Sequence, residues 1–323
     1  MDRSRLIVTL AMILSLISVL LGVAGIATSS RSAPFERSSS DSFLTAGRSG
    51  VAVVKIHGGI VSGYSDGDSS GADDVIKELE AARDSSSIRA VILDINSPGG
   101  SVGATKSIYN AVRDLRKEKP VVAVITDIAA SGGYYVAAAC DKIFAYEGSL
   151  VGSIGVISFH GDISELMKDY GVKITAIKSG KFKDSSYPFR AMTDLEKNML
   201  QDVMDDAYEQ FISDVADGRG QPRKSVADWA EGRIYSGKQA KSEQMIDDFG
   251  GKAEAVQALK LLLKTTDDLP LFEKKSDFME RLFSRLPGMK SETLSSSISN
   301  SHIYYLYPDS MHIILKTMES LRQ

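Results

Sequence analysis

Apolar residues gather in short runs rich in β-branched side chains at 51–57, 89–95, 120–126, 142–146 and 172–177. Such runs predict strands. Between them, 72–82, 104–117, 132–139 and 162–170 carry the three-and-four spacing of helices. Near-continuous apolar strands alternating with helices predict an α/β fold whose mostly parallel sheet is covered on both faces. After Arg190 the texture turns helical. Residues 193–217 predict one long amphipathic helix, N-capped by Thr193 with Glu196 completing a capping box. Shorter helices are expected at 222–230 and 237–244, and a longer one at 252–264. The pattern weakens from about residue 265, where 291–301 is polar and 303–321 is apolar enough to dock. No fixed-period repeat is present.

The N-terminus has a different pattern. Arg3 and Arg5 precede an uncharged run over 6–28, long enough as a helix to cross the hydrocarbon core of a bilayer. It predicts a retained anchor rather than the shorter apolar region of a cleaved signal. Arginines ahead of the span place the body on the extracytoplasmic side of the cell membrane, as a single-pass protein. The Ser-rich residues 29–47 read as a tether. The expected organisation is therefore an anchor at 1–28, a linker at 29–47, a catalytic body at 48–264 and an extension at 265–323.

Composition narrows the chemistry. A formal charge of −4, with no dense basic stripe, argues against nucleic acid as a partner. The single cysteine, Cys140, precludes an intrachain disulfide and any multi-cysteine zinc site. It sits in an apolar run and reads as a buried, inert thiol. No metal-binding motif occurs and no cofactor is implied.

Two glycine-rich segments stand out. In Ala130-Ser131-Gly132-Gly133-Tyr134 a serine lies between a strand and a helix. That position exposes a hydroxyl next to the free N–H groups of a helix start, which suits a nucleophile with an oxyanion donor at Gly132. It suits an N-cap serine equally well. Asn96-Ser97-Pro98-Gly99-Gly100 ends a strand with a turn, and its glycines can present another donor or simply close a loop. A nucleophilic serine needs a base. His57, His302 and His312 lie away from these loops in sequence, which leaves His160 and the lysines of Ser179-Gly180-Lys181-Phe182-Lys183-Asp184. A lysine serves only if burial lowers its pKa from about 10.4.

Together with Gly152-Ser153-Ile154-Gly155-Val156, these segments resemble the signal peptide peptidase A family in its short bacterial form. The resemblance covers roughly 50–260. It implies a Clp protease/crotonase-like fold of repeated ββα units, here with an N-terminal transmembrane helix. It implies Ser131 as nucleophile and Lys183, 52 positions later, as general base. Ser153 would orient that lysine, and Gly100 and Gly132 would supply the oxyanion donors. The match favours Lys183 over Lys181. The family's rings build each site from adjacent subunits, so a homo-oligomer is expected. The implied activity is a serine endopeptidase at the membrane acting on cleaved signal peptides and other apolar peptides. The alternatives are a related membrane protease using His160, and a non-proteolytic assembly or binding protein on the same fold.

Overall fold

The computed structural model describes residues 48–66 and 68–273, together with the backbone of Tyr304–Tyr305. The expected anchor, the linker and the polar stretch at 291–301 lie outside the described residues. The chain opens with β1 (Gly50–Val61), β2 (Ser69–Gly71) and α1 (Ala72–Asp84), then β3 (Ile88–Ser101) and α2 (Val102–Leu115). Next come β4 (Val121–Ala130), α3 (Gly132–Ala138), β5 (Lys142–Ala145) and β6 (Leu150–Gly152). A segment holding only the short α4 (Ser164–Asp169) leads to α5 (Asp194–Arg219) and α6 (Arg223–Trp229). The remainder is β7 (Ile234–Ser236), α7 (Gly237–Ser242), β8 (Asp248–Phe249), α8 (Lys252–Leu262), β9 (Leu271–Glu273) and β10 (Tyr304–Tyr305).

The sheet runs β2-β1-β3-β4-β5-β8, with each of these pairs parallel. Its long strands change neighbours along their length. β1 pairs β9 at 51–53 and β2 at 59–61, while β4 pairs β5 at 122–125 and β6 at 128–130. Register shifts after His57 and Ile95 lie where the neighbours change, as expected if a bulge bends the strand there.

Side chains alternate across the sheet, so each apolar run feeds two cores. Val54, Leu93 and Ala123 share one core with α1, α2 and α3. Val53, Ile92 and Val124 share the other with Ala255 and Leu259 of α8. Both faces are covered, which is why these strands lack an alternating polar pattern. Cys140 is buried, and burial pushes its thiol pKa up.

Helix α3 is apolar all round and every one of its residues is buried, the pattern of a core helix. Its two tyrosines are satisfied internally. The Tyr134 hydroxyl donates to the Met245 carbonyl at 2.9 Å, and the Tyr135 hydroxyl bonds Asp214 of α5. Asp214 also receives Lys106 of α2 at 2.5 Å, tying three helices together.

Two expectations change. Residues 96–100 form no separate turn; they continue β3 past a bulge, because β1 and β4 extend beside them. The strand expected at 172–177 is absent. A strand needs a neighbour's backbone, and none is offered among the described residues; the side chains of Val172, Ile174 and Ile177 are exposed, Ile177 at 99%. The capping box at Thr193 and Glu196 forms as expected.

Gly218 of α5 crosses the end of α3, where an added Cβ would lie 2.1 Å from the Ala138 carbonyl oxygen. Backbone cannot yield as a flexible side chain can. Gly218→Ala should therefore destabilise the fold by about 1–3 kcal/mol, read by denaturant unfolding. An unchanged midpoint would show that the two helices can part.

Candidate active site

The site begins where β4 ends. Ser131 N–H donates to the Gly152 carbonyl at 2.7 Å, and Ser131 carbonyl accepts from Tyr135 N–H at 2.9 Å. One residue therefore closes the β4–β6 ladder and opens α3. To do both, Ser131 adopts φ 53° and ψ −120°, a conformation that costs a non-glycine residue about 1–3 kcal/mol. An N-cap residue instead has an extended backbone and a side chain bonded to the helix N–H groups. Ser131 has neither feature, so the capping reading fails. Its hydroxyl is buried and has no hydrogen-bond partner among the described residues.

Pairing of β6 with β4 sets Gly152 opposite Ala130. Ser153, the next residue, is buried and also has a positive φ, 51°. Its N–H donates to the Arg233 carbonyl at 2.6 Å. The bulged end of β3 supplies the facing wall. A Cβ at Gly132 would lie 3.2 Å from Gly100 nitrogen and 2.6 Å from the Thr105 hydroxyl oxygen. Glycine at 132 is what allows the start of α3 to approach the Gly100 backbone. Ser97 holds this wall: its hydroxyl donates to the Gly58 carbonyl at 2.6 Å and accepts from Gly99 N–H at 3.1 Å. Serine before Pro-Gly signals such a local bond, a signal that sequence reading passed over.

Four of the five expected residues thus converge: Ser131, Gly132, Gly100 and Ser153. Lys183 does not join them within one chain. The Ser131 hydroxyl has no hydrogen-bond partner among the described residues, and Lys183 is an exposed residue lining a cavity of about 740 Å³ with Ile174, Ile177, Tyr187 and Phe189. Its neighbour Asp184 bonds Lys178 and Arg190, leaving Lys183 without an ion pair among the described residues. Arg190 and Lys178 hold the Asp184 carboxyl well below the usual carboxylate range. His160 is exposed and meets Ser158 at 3.0 Å. His57 faces Asp94 at 3.5 Å.

The end of β3 also carries an unexpected neighbour. Tyr304–Tyr305 of the tail pair antiparallel with it, Tyr304 opposite Ser101 and Tyr305 opposite Gly100. An extended segment of this chain therefore runs beside a residue expected to donate to the oxyanion.

The comparisons place this arrangement in a family. A model of peptidase family S49 matches residues 113–266, a stretch holding Ser131, Ser153 and Lys183. A putative protease of Synechocystis sp. is 35% identical over 215 residues, 67% of this chain and 75% of that protein. The chain belongs to peptidase family S49. A Clp protease model also matches, over 56–149, in keeping with the expected fold. A putative protease of Methanocaldococcus jannaschii is 38% identical over 196 residues, 59% of this chain and 62% of that protein. A putative signal peptide peptidase SppA of Enterococcus faecium is 34% identical over 203 residues, 62% of this chain and 59% of that protein. The chain spans about three fifths of the length of these last two relatives. S49 is a family of serine peptidases, and the resemblance drawn from the four motifs stands.

Arg190 also anchors the start of α5, bonding buried Glu196 at 2.6 Å. With Thr193 N–H, it holds the Glu196 carboxyl down to about 2. A carboxyl depressed in the fold stabilises above its unfolded pKa, about 4.3, and that contribution is lost as pH falls towards the folded value. The melting-temperature advantage of wild type over Glu196→Gln should therefore shrink between about pH 5 and pH 2. A gap independent of pH over that range would contradict the assignment.

Proposed function

We propose that this chain is a membrane-anchored serine endopeptidase using a Ser131–Lys183 dyad completed by a neighbouring copy of itself. The observation that carries the reading is the state of Ser131: buried, uncapped, without a hydrogen-bond partner for its hydroxyl among the described residues, and held at φ 53° between Gly100 and Ser153. A strained serine at a strand-to-helix turn, with backbone donors beside it, is the arrangement of an acylated nucleophile. Neutral Lys183 takes the Ser131 proton as the hydroxyl attacks the scissile carbonyl. Gly100 and Gly132 N–H groups hold the developing oxyanion, the amine leaves with a proton, and water then hydrolyses the ester. Ser153 orients the lysine.

The segment that holds Lys183 supports a base delivered between copies. Phe159, Ile174 and Ile177 are among its exposed apolar side chains, and exposed apolar patches of this kind mark interfaces. The 172–177 run has the composition of a strand but no strand partner among the described residues. A second copy would supply both the ladder and the burial that lowers a lysine pKa.

Substrates enter as extended peptides beside β3, the edge on which Tyr304–Tyr305 lie, by strand addition. Apolar peptides such as cleaved signal peptides fit an enzyme tethered by 6–28 with its body outside the cytoplasm. Among the described residues no helix is long and apolar enough to cross a membrane, so anchoring rests on that N-terminal run.

The test is cleavage of an apolar signal peptide by the full chain in detergent. Ser131→Ala and Lys183→Ala should each lower kcat by about 10³-fold or more, while Lys181→Ala and His160→Ala stay active. Activity surviving Lys183→Ala would move the base to Lys181 or His160. An inactive wild type would favour a binding protein on this fold. Removing 291–323 should raise the rate by clearing the β3 edge; a rate unchanged by truncation would place substrates elsewhere.

A further inference from the structure

Two buried hydroxyls among the described residues lack a hydrogen-bond partner, Ser131 and Thr105. The first is accounted for as the nucleophile. The second is not. Thr105 is the fourth residue of α2 and is fully buried. A threonine in a helix ordinarily returns its hydroxyl to the carbonyl four residues earlier, which here is Ser101, and Thr105 does not. Leaving a buried hydroxyl unpaired is unfavourable, so the orientation needs a reason.

Its surroundings supply one. The Thr105 oxygen lies 2.6 Å, and Gly100 nitrogen 3.2 Å, from the same point, the position a Cβ would take on Gly132. Thr105 thus points at the junction of the two backbone segments assigned to the oxyanion. We propose that Thr105 is a third oxyanion donor, its O–H bonding the tetrahedral intermediate's oxygen alongside the Gly100 and Gly132 N–H groups. The assignment rests on the reading of Ser131 as the attacking group. The bond is made only when charge develops, so it favours the transition state over bound substrate. No proton is transferred: the hydroxyl donates while the oxyanion forms and relaxes when the carbonyl is restored.

Steady-state kinetics on the full chain test this, with Ser131→Ala as the blank and thermal unfolding alongside. Thr105→Val keeps shape and removes the donor. It should lower kcat by about 10- to 100-fold, leave KM near the wild-type value and leave the melting temperature equal or higher. Thr105→Ser restores the donor and should recover most of the lost kcat. Should Thr105→Val fail to fold, Thr105→Ala against Thr105→Ser makes the same comparison. Unchanged kcat in Thr105→Val would overturn the proposal. So would a kcat that falls only in step with melting temperature, including in Thr105→Ser, since that marks a packing role. If wild type were no faster than Ser131→Ala, the reading of Ser131 itself would fail. An inactive Ser131→Ala with an unaffected Thr105→Val would remove Thr105 alone.

Discussion

The structure turns on the backbone of Ser131. This residue must end a parallel strand and start a helix without an intervening loop, because its N–H belongs to β6 and its carbonyl to the first turn of α3. The helix that follows has no exposed face; it runs directly into the core beneath the sheet. The resulting strain of about 1–3 kcal/mol is offset by what α3 buries. Tyr134 and Tyr135 are fully enclosed, and each large apolar side chain contributes about 1.5–3 kcal/mol on burial. The core thus forces the serine hydroxyl away from the cap position and leaves it free to react. Gly132 and Gly218 serve the same end, admitting the helix between β3 and α5 where a side chain would collide.

The remaining chemistry is divided between a rigid part and an exposed one. The proposed nucleophile, lysine-orienting serine and backbone donors sit on strand ends and a helix start, elements fixed by two cores. The proposed base, Lys183, sits on a segment with many exposed apolar side chains and one short helix. Its charges are nonetheless ordered. Arg190 and Lys178 occupy Asp184, so the carboxylate beside Lys183 in sequence is already engaged by other cations. On this account a site exists only where copies meet, which confines peptidase activity to the assembled protein.

Much of this was legible in the residues. Strand and helix runs depend on local composition, and those flanking the two cores lie close to where the pattern put them. The Thr193 capping box is a four-residue signal and formed as read. The losses have physical causes. Pro98 and Gly99 suggested a turn, but long neighbours on both sides kept β3 extended. The strand expected at 172–177 had the right composition but no partner among the described residues, since pairing is a property of two segments. The cap reading of Ser131 could not be set aside until its φ was known. Thr105 carried no signal at all: its importance comes from α2 and α3 approaching across Gly132, a contact between positions 27 apart.

Whether Ser131 of one copy is activated by Lys183 of another is decided by subunit mixing. Ser131→Ala and Lys183→Ala chains, each inactive alone, are dissociated, combined and reassembled, and cleavage of an apolar peptide is followed. Activity should recover, because some interfaces then join an intact serine to an intact lysine. A mixture as inactive as its components, under conditions where reassembled wild type is active, would contradict it and return both residues to a single chain.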